Sequence, residues 1–228
     1  MEFRSVKLVK PTRLVIFDFD KTFIRCDSFK RYCWFAAQTN GVQVVWLCRL
    51  LLDALKYLSG RMDGGRLKLT CLNAVLTDHA SAALKLQTNE FVDRILFPKI
   101  YSGAIDRLRQ HKEERCTTIF LSASPDLYVN QFGARCGADR VICTKFLDPD
   151  GNFTGKELGP NCRGDEKKRR LLAEYPDDEV AWDQSYGYGN SVDDVPFLEL
   201  LGNPVAVNPE SKLRKIAVER HWAIETWV

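Results

Sequence analysis

The chain has 228 residues, enough for one sizeable α/β domain with an insertion, and its 45% hydrophobic content supplies a proper core and excludes an intrinsically disordered chain. Its 33 basic and 30 acidic residues leave a net charge of +3, too small and too scattered for a nucleic-acid surface. The eight cysteines form no C-x-x-C pair and no histidine stands at zinc-finger spacing, so reduced thiols are expected rather than a disulfide framework or a zinc module.

The first fourteen residues, MEFRSVKLVKPTRL, carry charges but no apolar signal segment, which points to a reducing cytoplasmic setting. Residues 13–18, RLVIFD, read as a buried strand that runs into a carboxylate, and the loop DFDKT then turns Asp18 and Asp20 to one side with Phe19 between them. Two carboxylates so close repel unless a cation separates them, and Mg2+ is the natural one. With that charge neutralised, one carboxylate can attack phosphorus and the other can protonate a leaving oxygen. The plainer alternative is a polar strand end that caps the next turn.

Residues 27–100 contain four predicted helices and no convincing strand, far more than an ordinary crossover needs, so they read as an inserted helical unit. Within them residues 42–58, VQVVWLCRLLLDALKYL, are strongly apolar, but Arg49, Asp53 and Lys56 interrupt the run at helical spacing and it is short for a span. An amphipathic helix packed inside the insertion is the commoner fate of such a stripe; a surface that accepts lipid chains or rests on a membrane is the alternative.

Further strands are predicted over residues 117–122, 140–146, 184–189 and 203–208, alternating with helical segments. After the second strand, SASPD opens a helix whose free N–H groups suit an anion, although Ser124 followed by Pro125 also reads as an ordinary cap. In NCRGDEKKRRLL a glycine turn leads into a helix, and a cation in its first turn can reach a phosphate at the sheet edge. Lys167 is the first choice and Arg163 the reserve, Lys168 to Arg170 being partly a solvated face. The stretch YGYGNSVDDVPFLELL places an amide, a hydroxyl and two carboxylates after a strand, the makings of half a metal site, one of the carboxylates serving equally well as a helix cap.

The pattern predicts a doubly wound parallel α/β sheet of Rossmann-like form, with a core of residues 1–26 and 101–228 and a helical cap of residues 27–100. In such sheets the site lies beyond the carboxyl ends of the strands, which would gather Asp18, Asp20, Ser122 and residues 190–194.

The motifs DFDKT, FLSAS, GDEK and YGNSVDDVPFL, in this order, closely resemble the four motifs of the haloacid dehalogenase superfamily of phosphatases, over residues 12–208. Within it the chain looks like the phosphoserine-phosphatase-like subgroup with a helical cap of the C1 type. The resemblance implies a Mg2+-dependent phosphomonoester hydrolase. In it Asp18 is the nucleophile that forms an aspartyl-phosphate, Asp20 the general acid and then base, and Lys167 the cation joining Asp18 to the phosphate. It assigns Thr22 to the loop geometry around the substrate and Ser122 with Ala123 to the phosphoryl group. The metal falls to Asp18, Asp20 through its backbone carbonyl, Asn190 and Asp194.

Two departures accompany the match. The fourth motif usually begins Gly-Asp, whereas here Asn190 follows Gly189, so one ligand loses its charge and weaker metal binding is expected. The third-motif cation usually precedes the glycine, where this chain has Arg163, and the spacing G-D-E-K is instead similar to relatives of the phosphatidylglycerophosphatase C type. Asp27 stands where phosphoserine phosphatases read the substrate amine, and Arg61 and Arg66 are the cap arginines nearest to where a carboxylate would be read. The expected substrate is a phosphorylated small metabolite or lipid, with no nucleic acid, a membrane surface left open and the oligomeric state unassigned. Phosphoryl transfer to an alcohol and a binding role with turnover weakened by Asn190 are the alternatives.

Overall fold

The computed structural model describes residues 11–41, 44–76, 81–156 and 158–228. The N-terminal segment before residue 11, and Val42 and Gln43 of the apolar stretch, lie outside them. Six parallel strands form one sheet: β1 (Leu14–Phe17), β2 (Thr117–Pro125), β3 (Arg140–Thr144), β4 (Tyr186–Gly189), β5 (Asn203–Val207) and β6 (Ala223–Glu225), in the order β3-β2-β1-β4-β5-β6. The direction of winding reverses between β1 and β4, which opens a crevice beyond their carboxyl ends.

The central strands are buried on both faces, and this is why they read as nearly continuous apolar runs. Leu14 and Ile16 of β1, with Ile119 and Leu121 of β2, join one core layer; Val15, Phe17 and Phe120 join the other. Across the reversal Phe17 stacks on Tyr188 at 4.8 Å between ring centroids, and Phe23 meets Phe17 edge-on at 5.3 Å. These aromatic contacts fix the end of β1 where the first aspartate emerges.

Four of the five predicted strands have nearly the predicted bounds. The exception, β2, runs on to Pro125, with a shift of register against β3 between Ser122 and Pro125. The sixth, β6, was not predicted: three residues carry too little pattern, and pairing with β5 from Val205–Ala223 to Val207–Glu225 is what makes them a strand.

The helices α1 (Ser28–Asn40), α2 (Val44–Leu58), α3 (Gly64–Leu76) and α4 (Ser81–Phe91) follow β1. The helix α5 (Ser102–Glu113) leads to β2, α6 (Asp126–Cys136) to β3 and α7 (Asp165–Glu174) to β4, with α8 (Val195–Leu198) and α9 (Ser211–Glu219) beyond. Asp53 of α2 is buried and accepts from Thr70 of α3 at 2.8 Å and from Lys56 at 3.1 Å, which locks α2 onto α3. Rings of Tyr32, Phe91 and Tyr128 close at 5.1 and 5.2 Å and join α1 and α4 to α6 of the core. Part of the expectation for the apolar stretch fails: instead of packing inside, Leu51, Leu52, Leu55 and Leu58 face solvent. The seven described cysteines are free thiols, and no helix among the described residues is long and apolar enough to cross a membrane.

Candidate active site

Asp18 follows β1 directly, its N–H donating to the Tyr188 carbonyl at 2.9 Å. The next residue, Phe19, turns into the core against Phe120 and Phe132, so Asp18 and Asp20 are both left on the crevice side. Lys21 adopts φ +61°, an uncommon left-handed conformation for a residue with a side chain. This turn brings Thr22 back, and its hydroxyl donates to Asp18 Oδ2 at 2.8 Å and approaches Asn190 Oδ1 at 3.4 Å.

Lys167 lies in the first turn of α7 and is almost wholly buried, and its Nζ donates to Asp18 Oδ1 at 2.5 Å and to Asp194 Oδ1 at 2.6 Å. The other Asp194 oxygen accepts the backbone N–H groups of Asn190 and Ser191, each at 3.0 Å. A side chain on Gly189 would start 2.7 Å from Asp194 Cβ, so only glycine lets this carboxylate fold back against the end of β4. Asp194 thus enters the site as the anchor of Lys167, both its oxygens being engaged by protein donors. Burial, and then the Asp194 carboxylate, push the Asp18 carboxyl above its usual value against the pull of Lys167. Burial opposes the charge on Lys167, but the Asp18 and Asp194 carboxylates outweigh it and hold the ammonium above its ordinary value.

Asp20 is held differently. Its Oδ1 accepts the Ser28 N–H, at the start of α1, at 2.6 Å, and its Oδ2 accepts the Ser124 hydroxyl. Ser28 Oγ in turn meets Tyr128 OH at 3.0 Å. Burial raises the Asp20 carboxyl above its usual value, opposed by the hydrogen bonds from Ser124 and Ser28. A raised carboxyl suits an acid, and the Ser28 N–H ties this one to the start of α1.

Ser122 is buried at the register shift of β2, its oxygen accepting the Ser124 N–H at 3.0 Å, and the Ala123 carbonyl accepts Thr144 Oγ1 at 2.8 Å. That same carbonyl accepts Lys68 Nζ of α3 at 2.6 Å, and Lys68 also reaches Asn161 Oδ1 at 3.3 Å. Lys68 is a site residue that sequence reasoning missed. The signal was present: it stands four residues before the buried Leu72, on a helix face that carries no other charge in that register. Arg61 and Arg66 are exposed instead, and Arg66 pairs with Asp63 at 3.9 Å.

Of the remaining expected residues, Asp27 caps α1 through Lys30 N at 3.1 Å and pairs with Lys30 Nζ at 3.2 Å. Arg163 is exposed and bound to Asp193 at 2.7 Å, so the buried cation of the third motif is Lys167. Asn190 is buried beside Thr22 and Asp18. Asp18 and Asp194 meet the single ammonium of Lys167 with two carboxylates, and Thr22 lies between the oxygens of Asp18 and the Asn190 amide. Both features fit a hard divalent cation such as Mg2+.

Residues 15–199 match the model of the haloacid dehalogenase-like hydrolases. The chain belongs to that family. It is 27% identical over 223 residues to a histidinol-phosphatase of Neisseria meningitidis, covering 92% of this chain and 97% of the other. Several mycobacterial relatives, among them a probable phosphatase, are only about half spanned by this chain. A solved protein of unknown function from Bordetella pertussis is 28% identical, with a TM-score of 0.78 over 94% of this chain and 98% of that one. A phosphoserine phosphatase captured as a phospho-aspartyl intermediate analogue shares the fold, at 16% identity and a TM-score of 0.62 over 90% and 91% of the two chains.

Proposed function

We propose that the chain is a phosphomonoesterase that works through an aspartyl-phosphate on Asp18, with residues 27–100 acting as a cap over a core of residues 1–26 and 101–228. The observation that carries this reading is the buried bridge Asp18–Lys167–Asp194, which joins the ends of β1, α7 and β4 at the crevice. Bound Mg2+ would be held by Asp18, the Asp20 carbonyl and Asn190, and would supply positive charge to the nucleophile and the phosphoryl oxygens.

Thr22 and Lys167 orient Asp18 so that a carboxylate oxygen attacks phosphorus. The ester oxygen leaves with a proton from Asp20, and the P–O bond to Asp18 is made as the bond to the leaving oxygen breaks. Asp20, now ionised, takes a proton from water, whose oxygen attacks phosphorus and frees phosphate and Asp18. Ser122 and the Ala123 backbone bind the phosphoryl oxygens, and Lys167 neutralises their charge in the transition state. Asp194 serves by holding Lys167. On the leaving-group side stand Lys68, Asp27 and Arg163, a mixed set suited to a small polar or anionic alcohol, whether metabolite or lipid headgroup.

The test is phosphate release from a panel of esters that includes phosphoserine, histidinol phosphate, sugar phosphates, nucleotides and a phospholipid phosphate, with and without added alcohols. Release with Mg2+ and not with chelator supports the hydrolase; an ester of the added alcohol as the main product would replace it by a transferase.

Burial pushes the Lys68 ammonium down to about 8, so it is charged below that pH and neutral above it. Lys68→Met is expected to raise KM about tenfold for esters with an anionic leaving group at neutral pH and to leave neutral leaving groups little changed. Wild-type KM should rise toward that of the variant above pH 8, and a flat profile would remove Lys68 from substrate contact. Asn190→Asp adds a ligand charge and is expected to tighten Mg2+ about tenfold by calorimetry. An unchanged affinity would put Asn190 outside the metal's ligands.

A further inference from the structure

Four leucines of α2 remain in solvent: Leu51, Leu52, Leu55 and Leu58 are 68, 58, 63 and 80% exposed. At helical spacing they share one arc, while Leu50, Asp53 and Ala54 lie on the more buried side, toward the α3 contact. Isolated exposed leucines are ordinary, but four on one arc make a continuous apolar face on an outer helix, the reverse of the usual order.

The border of this face is basic. Arg49 and Lys56 lie between the leucine arc and the buried side, and both reach back to Asp53, at 3.8 and 3.1 Å. Arg61 and Arg66, both exposed, continue the border past the end of the helix. From residue 44 to 66 four basic residues stand against two acidic ones, a surplus of +2 out of the net charge of +3 of the whole chain. Most of the chain's net positive charge therefore stands on the segment that carries the exposed leucines.

We infer that the exposed face of α2 docks on a membrane surface that contains anionic lipid. The leucines enter the boundary of the acyl chains, and the long Arg and Lys side chains reach outward to the headgroups. Charge decides between this occupant and a second copy of the chain. A two-fold interface through the same face would bring two basic borders together, whereas anionic headgroups neutralise them. Membrane docking goes beyond the phosphatase reading and stands without it.

The experiment is flotation of the purified chain with vesicles of phosphatidylcholine alone or mixed with phosphatidylglycerol, at low and high salt. The mixed vesicles should retain at least about tenfold more protein than phosphatidylcholine alone, and salt should weaken retention. Leu51→Glu with Leu55→Glu should lower retention at least about tenfold at an unchanged melting temperature, because neither side chain is buried. Arg61→Glu with Arg66→Glu, which keeps the leucines, should lower it about tenfold on the mixed vesicles alone. No retention of the wild type, or retention unchanged in both variants, overturns the inference. So does a lipid-free dimer by light scattering that the leucine variant splits, which would assign the face to a second copy.

Discussion

Asp18→Asn should fold as the wild type does and release phosphate at least about 10^3-fold more slowly, because an amide oxygen is a poor nucleophile toward phosphorus. The amide retains an oxygen to accept from Thr22 or Lys167, and it removes the repulsion between Asp18 and Asp194. Its melting temperature without metal should therefore equal or exceed that of the wild type, a common exchange of activity for stability at a catalytic residue. Near wild-type kcat in this variant would remove Asp18 from the nucleophile's role.

Lys167→Met should lose on both counts. Activity should fall about 10^2- to 10^3-fold through loss of the cation facing the phosphoryl group. Stability should fall by about 3–5 kcal/mol, because two buried carboxylates lose their shared partner. The sign of the pH dependence follows. Without the pull of Lys167 the Asp18 carboxyl of the variant rises still further above its unfolded-state value, so the deficit is full at high pH and shrinks as falling pH protonates it. Melts of wild type and variant across pH should converge toward acid; a constant gap would mean that Lys167 stabilises by packing alone. Lys167→Arg should not restore activity, since the guanidinium is larger and forked where the ammonium meets two single oxygens.

Asp18 and Asp20 were legible because charge at the end of an apolar strand is a pattern that survives without coordinates. Thr22, Ser122 and Asn190 were legible by their places in the motifs, and Lys167 by its place in the first turn after a glycine. The rest depended on packing between distant segments. No sequence spacing connects Lys68 of α3 with the Ala123 carbonyl, or Ser28 with Asp20 through the start of α1; those contacts exist because α1 and α3 meet the ends of β1 and β2 in the fold. Asp194 stood in the sequence as one more carboxylate for a metal, and the protein donors that meet both its oxygens are visible only in the fold. The leucines of α2 show the limit of periodicity: it identified an amphipathic helix, but which side of it meets the protein was decided by Asp53 and Thr70.

The direct test of a covalent intermediate on Asp18 is acid quenching during turnover of a labelled phosphomonoester with Mg2+, followed by peptide mapping. Label on the peptide that contains Asp18, released by hydroxylamine and absent from Asp18→Asn, is the predicted result. Phosphate release without any labelled peptide, and persisting in Asp18→Asn, would mean that water attacks the ester directly and would contradict the account.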